Sequence, residues 1–155
     1  YLAYETLSDR MKALVCGLRA VYSNDPVNYV NFNGMKTIPG EASSAEHPFI
    51  RTHPETARRS LFYGRRKINC FHGMTHAESV PLLEMLHKHA ENPDFTCRFR
   101  WTPGAVAIWD NRCTIHRATA DYFSSTGEKS TGRRVMHRLS IEGDKPIFVP
   151  AVGSR

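Results

Sequence analysis

Apolar residues recur at helical spacing near the start of the chain. Leu7, Met11, Leu14, Val15 and Leu18 fall three and four residues apart, the spacing that lines one face of a helix. They predict a helix over residues 7–21, with Ser8 as its N-cap and Asp9 placed to favour the helix dipole. Residues 23–46 break the pattern with Asn24-Asp25-Pro26, Asn33-Gly34, Pro39-Gly40 and Ser43-Ser44. This predicts a long irregular loop, of a length that often serves as a lid. His47–Arg51 and Ser60–Tyr63 predict two short strands, with His53-Pro54-Glu55-Thr56 as the turn between them. Thr75 and Glu78 have capping-box spacing ahead of a helix over Ala77–Ala90. Leu82, Leu83, Leu86 and Ala90 form its apolar stripe, and Asn92-Pro93 ends it.

Further on, Phe95–Trp101 alternates in character, Pro103-Gly104 makes a turn, and Ala105–Trp109 is an apolar run. Trp101 is expected in the core. A Ser-, Thr- and Gly-rich stretch, Ser124–Gly132, predicts a flexible loop, and a last strand is expected through Arg133–Ile141. Short strands broken by turns, with two helices, predict a mainly β architecture with flanking helices, a β-sandwich or jelly roll. Neither a repeat nor a domain boundary is visible, so residues 1–155 are expected to form a single domain.

Composition narrows the classes. Hydrophobic residues make up 41% and charged residues 23% of the 155 residues, an ordinary globular balance with enough chain for a core. The net charge of +6 is compatible with nucleic acid or with small anions. The arginines come as separated pairs, Arg58-Arg59, Arg65-Arg66 and Arg133-Arg134, not as one dense run. Nucleic acid is therefore not expected as a partner. No apolar run reaches membrane-spanning length, so no membrane association is expected. Cys16, Cys70, Cys97 and Cys113 are far apart and form no CxxC. They predict reduced, mostly buried thiols and a cytoplasmic location.

The densest chemistry lies in Trp109–Thr119 and Arg133–Arg138. His116 follows the apolar run and the turn Asp110-Asn111-Arg112. Imidazole is the commonest metal ligand, and a non-haem iron site uses two His and one carboxylate. A lone histidine is more often an ordinary core or surface residue. On a strand, Arg134, Met136 and Arg138 share one face. Two guanidiniums on one face suit bidentate anion binding, and a solvated basic edge strand would show the same pattern. Gly64-Arg65-Arg66-Lys67 is a further cationic run, read either as a solvated loop or as part of an anion pocket.

WDNRCTIHRATADY, then RRVMHR and Gly143-Asp144-Lys145-Pro146, resemble the C-terminal part of the taurine dioxygenase family of Fe(II)- and 2-oxoglutarate-dependent dioxygenases. The resemblance extends upstream through RFRWTPGAVAIWDN, the helix at 77–90, SLFYG and HPFIRTHPET. The opening LAYETLSDRMKALVCGLRAVY is similar to the family's helix after its first metal ligands. The resemblance implies a double-stranded β-helix, or jelly roll. It implies that His116 is the distal iron ligand, that Arg134 clamps 2-oxoglutarate, and that Arg138 engages the substrate's anionic head. Trp109 and Lys67 would border the pocket, Trp109 equally well as core filler. The expected cofactor is Fe(II) with 2-oxoglutarate as cosubstrate. The expected partners are O2, a small anionic organic substrate such as the sulfonate taurine, and further copies of the chain in a homo-oligomer. Phenoxyalkanoates or alkylsulfates are the alternative substrates, and a non-catalytic binding or oligomerisation module is the alternative role.

Two departures from the family pattern stand out. The family's His-x-Asp/Glu ligand pair is expected upstream of Tyr1, so that the N-terminal part of the protein lies outside this chain. Three His-x-Glu triplets do occur, at His53, His76 and His89. The first sits in a turn. The others sit on or at the start of a helix, where residues i and i+2 do not share a face. None is expected to bind metal. The second departure is an insertion around Ser124–Gly132, between His116 and Arg134.

Overall fold

The computed structural model describes residues 1–23, 44–64, 68–118 and 135–150. Two compact units divide it: residues 1–114 with 146–155, and residues 115–145. In the first unit the elements run α1 (Leu2–Glu5), α2 (Asp9–Val15), β1 (Arg19–Ser23), β2 (Ser44–Pro48), β3 (Ile50–Thr52), β4 (Arg59–Leu61), β5 (Ile68–Phe71) and α3 (His76–Ala90), then a 3-10 turn at Pro93–Phe95.

The first predicted helix is shorter than its apolar period suggests. Ser8 caps α2, its Oγ accepting from the Met11 N–H at 3.3 Å. The helix ends at Val15 because Gly17 turns left-handed at φ +80°, a conformation glycine adopts without steric cost. Residues 19–23 then form a strand. The loop predicted over 23–46 lies mostly outside the described residues, and its last part, from Ser44, belongs to β2.

Three strands form one antiparallel sheet in the order β2-β1-β5, and β3 pairs with β4 in a second. Arg19 lies opposite Pro48 and Ser23 opposite Ser44. Phe49 connects the two sheets. Its N–H donates to the Leu18 carbonyl at 2.9 Å, extending the first ladder, and its carbonyl accepts from the Phe62 N–H at 2.7 Å, extending the second. The Phe49 side chain is fully buried and meets Phe71 edge to face at 5.0 Å between centroids. This arrangement adds to area burial, by about 0.5–1.5 kcal/mol in a typical aromatic pair.

Helix α3 starts with the capping box that the sequence predicts. Thr75 Oγ1 accepts from the Glu78 N–H, and the Glu78 carboxylate accepts from the Thr75 N–H at 2.8 Å. Its buried face is Ser79, Leu83, Leu86, His87 and Ala90, and it packs on β5. Leu82, expected in that stripe, is only partly buried. The core joins α3 to Val15, Ala20, Phe49, Ile50, Leu61 and Phe71.

Several expectations fail downstream. Residues 95–101, 105–109 and 135–141 form no strand. Most of their apolar side chains are open, Ile108 being 94% and Leu139 97% exposed. Alternation makes a segment able to join a sheet, but a strand exists only where a neighbour completes its backbone hydrogen bonds. Among the described residues these segments have no such ladder. Trp101, expected in the core, is exposed and stacks edge-on with Phe99 at 4.9 Å. All four cysteines are free, in line with reduced thiols, but they are not mostly buried: Cys16 and Cys97 are exposed, and Cys70 and Cys113 are half-buried. No helix among the described residues is long and apolar enough to cross a membrane. The described residues of the second unit, 115–118 and 135–145, are exposed and carry neither helix nor strand.

Candidate functional site

The turn that leads to His116 is densely hydrogen-bonded. Asp110 opens it. Its main-chain carbonyl accepts from the Thr114 N–H at 3.1 Å and the Thr114 hydroxyl at 2.6 Å. Its carboxylate accepts from Arg112: Oδ1 from the main-chain N–H at 2.7 Å and from Nε at 3.0 Å, and Oδ2 from Nη2 at 2.8 Å. Arg112 reaches onward, donating from Nη1 to Glu55 Oε1 at 2.9 Å.

His53 brings this turn to the β3–β4 hairpin. It is only 4% exposed. Nδ1 accepts from the N–H groups of Glu55 and Thr56 at 3.2 and 3.3 Å. An acceptor Nδ1 assigns the proton to Nε2, which therefore donates to Asp110 Oδ2 at 3.0 Å. Arg112, and after it His53, hold the Asp110 carboxyl well below the ordinary carboxylate range. Asp110, and after it Glu55, raise the Arg112 guanidinium above its usual value.

His53, Asp110 and Cys113 place one donor atom each within 4.8 Å of one another, the one such trio among the described residues. Its chemistry fits a metal poorly. His53 Nε2 carries a proton directed at Asp110, and both Asp110 oxygens already accept from Arg112. A cation there would also sit against a guanidinium. The trio is better described as an ion-pair and hydrogen-bond lock between the hairpin and the 110–114 turn.

The predicted site residues divide as follows. His116 and Arg138 lie in the second unit and are exposed. Trp109 lies in the first, 38% exposed, with its indole N–H donating to Asn111 Oδ1 at 2.9 Å. Arg134 and Lys67 lie outside the described residues, as does the Ser124–Gly132 insertion. The three His-x-Glu triplets have other roles. His53 is in the lock, Glu78 is in the capping box, and His89 Nε2 contacts the Ala3 carbonyl at 2.9 Å. The His53–Asp110 pairing has no sequence signal beyond complementary charges in HPET and WDNR, because 57 residues separate the partners.

The family model described as "Taurine catabolism dioxygenase TauD, TfdA family" matches residues 1–140. The chain belongs to the taurine dioxygenase family. Among curated members, an alpha-ketoglutarate-dependent sulfate ester dioxygenase of Pseudomonas putida is 32% identical, over 99% of this chain and 51% of its own length. The (S)-phenoxypropionate/alpha-ketoglutarate-dioxygenase of Sphingobium herbicidovorans is 33% identical, over 92% of this chain and 50% of its own. A crystal structure of a taurine dioxygenase from Burkholderia xenovorans superposes with a TM-score of 0.60 and 41% identity, over 72% of this chain and 35% of that one. This chain thus spans about half or less of the length of these relatives.

Proposed function

We propose that the complete protein is an Fe(II)- and 2-oxoglutarate-dependent dioxygenase. It hydroxylates a small anionic substrate, a sulfonate such as taurine, at the carbon next to the heteroatom. The observation that carries this reading is the family match over residues 1–140, which takes in His116, Arg134 and Arg138. The fold inferred for the whole domain is a double-stranded β-helix. The segment Ser44–Thr52, which serves two sheets in succession, supports it.

His116 is the residue of this chain that would hold the metal. Neutral imidazole is a common donor to iron. A His-x-Asp/Glu pair would complete the donor set, and it is to be sought in the part of the family's length outside these 155 residues. Bound Fe(II) supplies the activation of O2, with electrons from decarboxylation of 2-oxoglutarate to succinate. Arg134 fixes the far carboxylate of 2-oxoglutarate, since a planar guanidinium matches a carboxylate with two parallel hydrogen bonds. Arg138 binds the substrate's anionic head and thereby sets which carbon faces the metal.

His116→Ala in the complete protein should abolish 2-oxoglutarate-dependent succinate release. Release at the wild-type rate refutes the assignment. The matched relatives are named for a sulfate ester and a phenoxypropionate, both anionic. Release of sulfite, phenol or aldehyde from a sulfonate, a phenoxyalkanoate and an alkylsulfate separates the substrate classes. The second reading is a non-catalytic module, favoured by the other commitments of the three His-x-Glu triplets. Wild-type protein that forms no succinate with any of the three would establish it.

A further inference from the structure

We propose that Asp110 is a positioning residue for His116: clasped between His53 and Arg112, it fixes the turn from which the His116 backbone departs. This rests on the reading of His116 as a metal ligand.

Three observations carry the inference. First, Asp110 secures the turn from both its ends. Its carbonyl holds the Thr114 N–H and hydroxyl at 3.1 and 2.6 Å, and its carboxylate holds the Arg112 main-chain N–H at 2.7 Å. Second, the turn is fastened to the hairpin at two points, Asp110 to buried His53 at 3.0 Å and Arg112 to Glu55 at 2.9 Å. His53 is itself oriented by the N–H groups of Glu55 and Thr56, so its direction is set by the hairpin's own backbone. Third, only Ile115 separates Thr114 from His116. Two residues reach at most about 7 Å, so the ligand's backbone cannot stray far from the fixed end of the turn.

A metal ligand gains affinity when its backbone is held before the metal arrives, because less freedom is lost on binding. Residues that orient ligands typically cost about 10–100-fold in metal affinity when changed. The opposing view is that the lock stabilises the hairpin and nothing more. The ion pair between Arg58 and Glu5, 2.7 Å, fastens the same hairpin to α1 through neither Asp110 nor Arg112, and so provides the control.

The test uses the complete protein, with Fe(II) affinity measured anaerobically by equilibrium dialysis in the presence of 2-oxoglutarate. Hydrogen exchange over residues 111–118 is the second readout. Asp110→Asn and Arg112→Lys should each weaken Fe(II) binding about tenfold or more and speed exchange in that segment. Glu5→Gln should leave both unchanged, whatever it does to stability. If Asp110→Asn does not fold, Arg112→Lys decides. Fe(II) affinity within twofold of wild type in the folded variants overturns the positioning role and leaves the dioxygenase reading intact. Wild-type protein that binds no Fe(II) overturns both.

Discussion

Ser79→Ala tests how α3 is joined to the sheet. Among the described residues, strand β5 is at the edge of its sheet, with β1 on one side only. The His72 N–H turns toward β1 and donates to the Arg19 carbonyl at 2.8 Å. Along a strand, successive N–H groups point to opposite sides, so that of Phe71 points away from β1. Ser79 Oγ accepts it at 3.0 Å, and both residues are fully buried. Removing the hydroxyl leaves a buried N–H without this acceptor, a loss of about 1–3 kcal/mol. Alanine returns a few tenths of a kcal/mol through its better helix propensity. The net loss should be about 1–2.5 kcal/mol, read from urea denaturation of the complete protein. The Phe71 amide should exchange roughly tenfold faster, since about 1.4 kcal/mol corresponds to a factor of ten. A loss under about 0.5 kcal/mol, with Phe71 exchange unchanged, refutes the idea that this bond secures the helix.

Two further outcomes follow from local chemistry. Thr75→Ala removes one half of the capping box and should destabilise by about 1 kcal/mol, with hydrogen exchange faster in the first turn of α3 than in its last. Asp110 gives a pH signature. Its carboxyl titrates below its ordinary range in the folded protein, so its stabilising contribution is complete well above the unfolded value of about 3.9 and is lost as pH falls through the folded one. The stability gap between wild type and Asp110→Asn should therefore be open at neutral pH and close progressively below about pH 5. A gap that stays constant on acidification contradicts the assigned ion pair.

What the sequence made legible was what local rules encode. The α3 cap needs residues three apart, and the β3–β4 hairpin needs two short runs around a turn; both are present. The apolar period through Leu18 concealed the end of α2, because Gly17 redirects the backbone without disturbing the pattern. Strand β5, Ile68–Phe71, was not anticipated: four residues with Asn69 and Cys70 at the centre show no clear alternation. The alternation at 95–101, the apolar run at 105–109 and the described part of the strand expected over Arg133–Ile141 have no ladder among the described residues. His116, Arg134 and Arg138 acquired roles only through family resemblance, since one histidine and two arginines have many ordinary uses. The His53–Asp110 contact was beyond reach, because periodicity carries no information across 57 residues.

The edge of β3 bears on how the hairpin meets other chains. The Thr52 N–H donates to the Ile147 carbonyl at 2.8 Å, Thr52 Oγ1 accepts from the Val149 N–H at 2.9 Å, and Arg59 donates to the Val149 carbonyl at 2.8 Å. The chain therefore leaves the hairpin at Thr114 and regains it at Ile147, with both ends anchored on β3, β4 and the turn between them. The bonds to Ile147 and Val149 also occupy the outer side of β3 at Thr52. A strand edge with unpaired N–H and C=O groups is a template for another chain, so at this point the hairpin is closed to edge-to-edge pairing.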